Sequence, residues 1–236
     1  MYCNAACKKK HRHKHKKQCE RRVAELHDEK LFTHTLPLED CPICMERLPT
    51  LGTGKTYMSC CGKVICSGCV HTFRSRVTKK KDDVCPFCRT PMPISLEEMV
   101  KRLEKRIDLN DALALNNMGC HYAEGQLGLP QDMAKALEFW HRAAELGNSS
   151  AYYAIGNAYH IGNGVEGDEK KAMHYWELAA MRGHVKARHN LGVSEGRAGN
   201  LDRAVKHLMI AAKGGDSEAL KSIKRLYSEG LATKDE

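Results

Sequence analysis

The chain has 236 residues, a formal net charge of +9 and 12 cysteines. No apolar stretch is long enough for a membrane-spanning helix, and no apolar segment follows the basic N-terminal residues as it would in a secretory signal. We therefore expect a cytoplasmic or nuclear protein, not a secreted one, in which paired cysteines bind metal rather than form disulfides.

Residues 1–33 are predicted to form a basic helical segment. A run from Lys8 to Lys17 concentrates lysine, arginine and histidine. Such a run could bind nucleic acid or serve as a nuclear-import signal. No aromatic residues are interleaved for base stacking, so a solvated helix face is favoured and nucleic-acid binding is not expected. The helix is predicted to continue over residues 20–32.

The same segment holds four candidate metal ligands with a specific spacing: Cys3, Cys7, His15 and Cys19. This pattern resembles the C-terminal half of a MYND-type zinc finger. That family binds two zinc ions with eight ligands, so the resemblance implies that each site would be half built, since zinc takes four ligands. One improvised site made from these four residues remains an alternative to a helix without metal, which we expect.

Residues 41–89 contain eight cysteines in four pairs. Several such pairs within fewer than fifty residues are a strong zinc signal, whereas a single pair would be weak. Full thiolate ligand sets favour structural zinc and leave no open position for water activation. The pairs are Cys41 and Cys44, Cys60 and Cys61, Cys66 and Cys69, and Cys85 and Cys88.

This spacing resembles the RING finger. The resemblance implies two zinc ions in a cross-brace, the first and third pairs holding one ion and the second and fourth pairs the other. The middle pair is atypical, because Lys63 stands where many members have a histidine ligand. We therefore assign Cys60 and Cys61 as ligands, with two alternatives open: Cys60 could be a bystander, or His71 could substitute.

The resemblance also implies a shallow groove for a ubiquitin-conjugating enzyme, formed here by Ile43, Phe73, Pro86 and Arg89. Its expected function is that of a ubiquitin ligase, which positions ubiquitin and the conjugating enzyme without a covalent intermediate. Two alternatives stand beside this. Ile43 and Phe73 could pack a small core between the zinc ions, and the whole protein could be a non-catalytic interaction scaffold whose RING is purely structural.

A linker helix is predicted over residues 94–109. Pro91 and Pro93 end the cysteine-rich part, since prolines disfavour helix. Ser95 and Glu98 then form a capping-box pattern, and a helical stripe of apolar residues follows. We expect this stripe to pack on the first repeat; it consists of Leu96, Met99, Val100, Leu103 and Ile107.

From residue 111 to residue 230 the sequence repeats itself. The segments that begin at Ala114, Ala151 and Ala187 are similar and each opens a helix. Glycines at 147, 183 and 215 each close a second helix. Such a period predicts a helix-pair solenoid, so the expected fold class is a small zinc-stabilised RING cross-brace followed by an all-α solenoid.

The repeats resemble Sel-one-like repeats, relatives of the tetratricopeptide repeat. The resemblance implies a concave face that binds a protein substrate or adaptor, which is an argument from fold alone. We expect Trp140 and Trp176 to lie in the core between repeats. A fourth repeat is predicted to begin at Ser217 and to stop after its first helix, with an exposed apolar side formed by Leu220, Ile223 and Leu226.

Overall fold

The computed structural model describes residues 12–33, 39–51, 54–77 and 83–230, with backbone only for 12–16. Within these ranges it has ten helices and two strands, and the chain divides into two units, 1–34 and 35–236. The elements are α1 (Arg12–Phe32), β1 (Lys55–Met58), β2 (Lys63–Cys66), α2 (Ser67–Arg74), α3 (Leu96–Ile107), α4 (Ala112–Glu124), α5 (Met133–Glu145), α6 (Ser149–Ile161), α7 (Glu169–Met181), α8 (Val185–Arg197), α9 (Leu201–Lys213) and α10 (Ser217–Ser228).

Helix α1 makes up most of the described part of the first unit. It includes the predicted helix over residues 20–32. Exposed ion pairs run along it, with Arg21 2.9 Å from Glu25 and Arg22 3.2 Å from Glu29. Exposed pairs of this kind add little to the stability of a helix, because water and salt screen them. The start of the basic run and its side chains as far as residue 16 lie outside the described residues.

The second unit begins with a cysteine-rich module, residues 39–91, built from two matching turns. In one turn the Met45 N–H donates to the Cys41 carbonyl at 2.9 Å, and in the other the Arg89 N–H donates to the Cys85 carbonyl at 3.0 Å. Met45 and Arg89 both have left-handed backbones, with φ of 60° and 63°. A short bridge closes each turn, pairing Asp40 with Arg47 and Val84 with Pro91.

Between the two turns lies a hairpin of β1 and β2, antiparallel with Lys55 opposite Cys66 and Met58 opposite Lys63. Its connecting turn carries Cys60 and Cys61, and β2 leads directly into α2. The buried core of the module consists of Cys41, Leu48, Met58, Ile65, Val70 and Cys85. Ile43 is 41% exposed, so the alternative in which it packs this core is wrong.

Helix α3 follows the module, and Ser95 caps its N-terminus, because the Ser95 Oγ accepts the Glu98 N–H at 3.1 Å. The Glu98 carboxylate accepts the N–H of Ile94 rather than that of Ser95, so only half of the expected capping box forms. The apolar stripe packs along its later part, where Leu103 and Ile107 are buried. Leu96 is 54% exposed, because it stands at the first position of the helix, before the stripe reaches the core.

Helices α4 to α9 form three antiparallel pairs, and glycine lets the helices of each pair approach closely. A Cβ added at Gly119 would lie 2.5 Å from Trp140 Cδ1, and one added at Gly156 would lie 2.5 Å from Trp176 Cδ1. Both tryptophans are buried, as predicted, and each packs against the glycine of its own repeat. The glycines that close the repeats have positive φ angles, 86° at Gly147, 80° at Gly183 and 92° at Gly215.

Helix α10 follows the third pair and packs on α9. Ile223 and Leu226 are only 9% and 8% exposed and belong to a core with Val205 and Leu208. The prediction that these two residues form an exposed apolar side is therefore wrong, because α9 covers them. Leu220 alone of the three is exposed, at 47%. None of the described helices combines the length and the apolar character that a membrane span requires.

Candidate metal centre

Four cysteines from the first turn and from the β2–α2 junction converge on one point. The Sγ atoms of this first group, Cys41, Cys44, Cys66 and Cys69, all lie within 4.8 Å of one another. Cys44 and Cys66 are 3.8 Å apart, although 22 residues separate them in sequence. Cys41 is buried at the base of the group and Cys44 lies at the surface.

The other four module cysteines converge in the same way. The Sγ atoms of this second group, Cys60, Cys61, Cys85 and Cys88, lie within 4.8 Å of one another. The Cys60 and Cys88 sulfurs are 3.4 Å apart and those of Cys61 and Cys85 are 4.0 Å apart. The structure thus places Cys60 with the three other candidate ligands of the second group. His71 is exposed on α2 and belongs to neither group found among the described residues.

A tight turn lets two adjacent thiols reach the same group. The N–H groups of Cys61 and Gly62 both donate to the Met58 carbonyl, at 3.2 and 2.8 Å. Gly62 has φ of 72°, in the left-handed region that favours glycine. The chain therefore reverses within four residues and carries Cys60 and Cys61 together toward the second turn.

The spacing of both groups fits a tetrahedral metal–thiolate site. A Zn–S bond of about 2.3 Å places the corners of such a tetrahedron about 3.8 Å apart, and the measured sulfur separations lie close to this. Backbone N–H groups point at the sulfurs, with Cys69 N 3.3 Å from Cys66 Sγ and Cys66 N 3.5 Å from Cys41 Sγ. The two groups can each hold one metal ion through four cysteines, and soft thiolates suit zinc.

The local electrostatics of the first group favour binding of a cation. Burial raises the pKa of the Cys41 thiol, but backbone N–H groups, chiefly those of Cys44 and Cys66, outweigh it and lower that pKa to about 6. Burial and the neighbouring sulfurs raise the pKa of Cys69 to about 12. All four thiols can lose their protons together only when a cation neutralises the thiolates.

The same contrast holds in the second group. Burial raises the pKa of Cys88, but the Thr90 hydroxyl and N–H outweigh it and lower that pKa to about 6. Burial and the nearby Cys88 and Cys85 thiols raise the pKa of Cys60 far above its ordinary value. The Thr90 Oγ1 lies 3.2 Å from the Cys88 sulfur and could donate to a thiolate there.

The candidate ligands of the N-terminal segment are not brought together by the described part of the chain. Cys3, Cys7 and the side chain of His15 lie outside the described residues, and Cys19 lies half-buried on α1. The partial MYND-like site therefore stays a prediction.

Of the residues predicted to bind a conjugating enzyme, three lie in the two turns and Phe73 lies on α2. The Arg89 guanidinium lies over the Phe73 ring, 5.1 Å from its centroid. Pro86 precedes Arg89 in the same turn, and Ile43 is exposed in the other turn. The sequence reasoning missed Met45 and Phe87, which are 74% and 44% exposed. Their position within or directly after the two matching cysteine pairs is the signal that could have found them.

Polar contacts also join the module to the repeats, and no motif predicted them. The Tyr57 hydroxyl donates to Asp111 Oδ2 at 2.8 Å, and the Arg106 guanidinium donates to the same oxygen at 2.7 Å. At the far end of the repeats, the Thr50 hydroxyl donates to the Gly214 carbonyl at 2.7 Å. Leu51 packs beside this bond against the core of the third repeat.

Comparison with known families identifies the helical part. The Sel1 repeat family matches residues 112–148, 149–184 and 185–216, so residues 112–216 are three Sel1 repeats. A Sel1 repeat protein from Oxalobacter formigenes is similar in structure, with a TM-score of 0.56 and 31% identity over 61% of this chain and 60% of that one. The antigen c5321 from uropathogenic Escherichia coli, which displays an SLR fold, gives a TM-score of 0.52 and 30% identity over 58% of this chain and 29% of its own.

A shorter similarity points to a different group of proteins. A stretch of 69 residues is 38% identical to the E3 ubiquitin-protein ligase GW2 of Oryza sativa, in both the indica and the japonica subspecies. It covers 29% of this chain and 15% of the ligases. The chain thus spans a small part of the length of these curated relatives.

Proposed function

We propose that this protein is a RING-type ubiquitin-protein ligase, in which the cysteine-rich module positions a ubiquitin-conjugating enzyme and the Sel1 repeats bind a substrate or adaptor protein. The observation that carries this proposal is the interleaving of the cysteine pairs. The first and third pairs form one group and the second and fourth form the other. A zinc-binding cross-brace with two ions would require this order.

The surface around Arg89 supports a docking role. Its guanidinium and the Phe73 ring form a cation–π pair, and Pro86 lies in the same turn. Ile43 lies in the other turn, where it is the counterpart of Phe87, and it is open to solvent. These four side chains offer an apolar surface with one cation, which suits a shallow protein contact better than a small-molecule pocket.

The chemistry in this proposal is positioning. A zinc ion with four cysteine ligands has no open position, so it holds the fold and does not activate water. Arg89 would act on the bound proteins, because its guanidinium carries five N–H donors and can contact ubiquitin and the conjugating enzyme together. Holding the thioester in a reactive orientation is itself a source of rate. With all eight module cysteines assigned as ligands, none of them serves as a nucleophile.

The proposal places the protein in the cytoplasm or the nucleus, where thiols remain reduced. The eight module cysteines form no disulfide in the described structure. The similarity to a rice E3 ligase over 69 residues adds support to the proposed ligase activity.

An autoubiquitination assay with a panel of conjugating enzymes tests the proposal. We expect polyubiquitin products with at least one enzyme, and Ile43→Ala and Arg89→Ala should each lower the rate about tenfold, which corresponds to about 1.4 kcal/mol. Ile94→Ala and Arg76→Ala are matched controls, since both side chains are exposed and lie outside the four-residue surface. Activity that is insensitive to Ile43→Ala and Arg89→Ala would contradict this groove.

A second candidate function is a non-catalytic interaction scaffold. The hydrogen bonds from Tyr57 to Asp111 and from Thr50 to Gly214 favour it, because they give the module a structural role beside the repeats. In that case no conjugating enzyme in the panel would yield ubiquitin products, while metal removal would still lower the thermal stability of the chain.

A further inference from the structure

A cavity of about 790 Å³ lies between the cysteine-rich module and the Sel1 repeats. The module contributes Lys55 and Tyr57 to its wall, and the repeats contribute one face of α4. The turns before α6 and α8, residues 146–150 and 182–184, complete the wall. Its volume is in the range of ligand-binding sites in proteins. Neither part of the chain would form this cavity alone.

Asn116 lies on the cavity wall and has an unsatisfied acceptor. The residue is 8% exposed, and its Oδ1 is buried without a hydrogen-bond partner among the described residues. Buried side-chain oxygens in folded proteins nearly always accept a hydrogen bond, because an unmet one is destabilising. The oxygen therefore lacks an N–H donor, which the backbone of a bound peptide would supply once the Asn116 side-chain amide turns toward the cavity.

The far end of the cavity is basic. Lys55 and Arg182 line it, and the Lys55 ammonium makes no ion pair within the described residues. Burial and the nearby charges of Lys55 and Lys186 lower the pKa of His184 to about 4, so this histidine is neutral at pH 7. Among the described residues that line the cavity, Glu39 is the one carboxylate, and it is exposed at the rim.

The cavity is long enough for several residues of extended chain. Its wall runs from α4 past the start of α6 to the start of α8. Helices pack 8–10 Å apart, so two such steps span roughly 20 Å. An extended chain covers about 3.3–3.6 Å per residue, which corresponds to about six residues. The Ser149 and Ser150 hydroxyls line the middle of this path and can donate to peptide carbonyls.

We propose that this cavity binds an extended peptide segment of about six residues that carries an acidic side chain. The peptide backbone donates an N–H to Asn116, and its carboxylate lies against Lys55 and Arg182. The inference rests on the proposed role of the repeats as the partner-binding part of the protein, and it names the chemistry of the segment they bind.

Fluorescence anisotropy with the zinc-loaded full chain tests this assignment. The probes are two labelled hexapeptide mixtures with four random positions each, one with two fixed glutamates and the other with two fixed lysines. We expect the glutamate mixture to bind about tenfold more tightly, since complementary charge sets specificity. Lys55→Glu should abolish this preference, while Lys170→Glu makes the same charge change on an exposed part of α7 outside the cavity and should leave it unchanged.

Asn116→Leu separates a binding role from a structural one. Removal of a buried unpaired acceptor should leave the Tm of the free chain unchanged or raise it, whereas affinity for the glutamate mixture should fall about fivefold. Equal affinity for the two mixtures, or equal losses with Lys55→Glu and Lys170→Glu, would overturn the assignment. The assay contains neither ubiquitin nor a conjugating enzyme, so a chain without ligase activity can still pass it.

Discussion

The Tyr57 hydroxyl donates a hydrogen bond of 2.8 Å to the Asp111 carboxylate, which ties the hairpin of the cysteine-rich module to the N-cap residue of the first repeat helix. The other Asp111 oxygen accepts the N–H groups of Leu113 and Ala114 and caps α4. Burial raises the pKa of Asp111, but Arg106 and Tyr57 outweigh it and hold that pKa below its ordinary value. One carboxylate thus links the module, α3 and α4.

Tyr57→Phe should lower the free energy of unfolding by about 1.5 kcal/mol at pH 7, because hydrogen bonds to a charged group contribute that order of stability. Urea denaturation followed by circular dichroism measures it. Tyr227→Phe is the matched control, since the Tyr227 ring is half-buried in the last core cluster and its hydroxyl makes no hydrogen bond within the described residues. Equal losses in the two variants would show that the Tyr57 hydroxyl adds nothing.

Removal of metal should unfold residues 41–89 and leave the repeats helical. The module core has only a few large apolar side chains, whereas metal binding in small sites of this kind supplies on the order of 10 kcal/mol of folding free energy. Circular dichroism with and without chelator checks this, and elemental analysis should find two zinc ions per chain. A cooperative loss of all helix on chelation would contradict the prediction.

The third repeat should lose stability as the pH falls from 6.5 toward 3. Burial, followed by the charges of Arg188 and Arg203, lowers the pKa of His207 from its ordinary 6.5 to about 3. The unfolded chain therefore binds a proton in this window that the folded chain does not, and stability is highest above pH 6.5. At pH 5 the loss amounts to about 2 kcal/mol.

His207→Leu should reduce this dependence by about half between pH 7.5 and pH 5, where carboxylates remain ionised. Urea denaturation at several pH values measures the slope for both chains. His184, whose pKa burial lowers to about 4, should leave a residual slope of similar size, because its folded pKa also lies below this window. An unchanged slope in His207→Leu would show that His207 does not carry the effect.

Gly156→Ala should destabilise the second repeat by about 1–3 kcal/mol through overpacking, because the new Cβ would lie 2.5 Å from Trp176 Cδ1. Gly196→Ala is the control within a helix. Its nearest atom outside its own backbone would be 3.7 Å away, so the better helix propensity of alanine should raise stability by up to about 1 kcal/mol. Thermal unfolding of both variants compares the two, and a Gly156→Ala chain as stable as the parent would contradict the close contact.

The sequence predicted the parts of this fold that depend on local spacing. Repeated glycines and alanines define the helix pairs, and the resemblance to the RING finger implied which thiols could share an ion. Contacts between segments that are distant in the sequence could not be predicted. Nothing near Tyr57 or Thr50 in the sequence indicates that their partners are Asp111 and Gly214, because such pairs depend on how the module packs.

The exposed apolar side predicted for α10 was wrong for a related reason. A helical stripe identifies the apolar residues but not the surface that covers them, and α9 covers Ile223 and Leu226. The unsatisfied Oδ1 of Asn116 could not be predicted either. Only burial and hydrogen bonds, which the sequence does not give, distinguish this asparagine from the other polar residues of the repeats.

Helical solenoids change length and curvature easily, because each repeat contacts only its neighbours. Here the module is bonded to α4 through Asp111 and to the end of α9 through Gly214. The module therefore acts as a strut, because its contacts at both ends restrict how far the first and third repeats can move apart. Release of the metal should loosen this strut, so the occupancy of the two cysteine groups would set the stiffness of the whole repeat array.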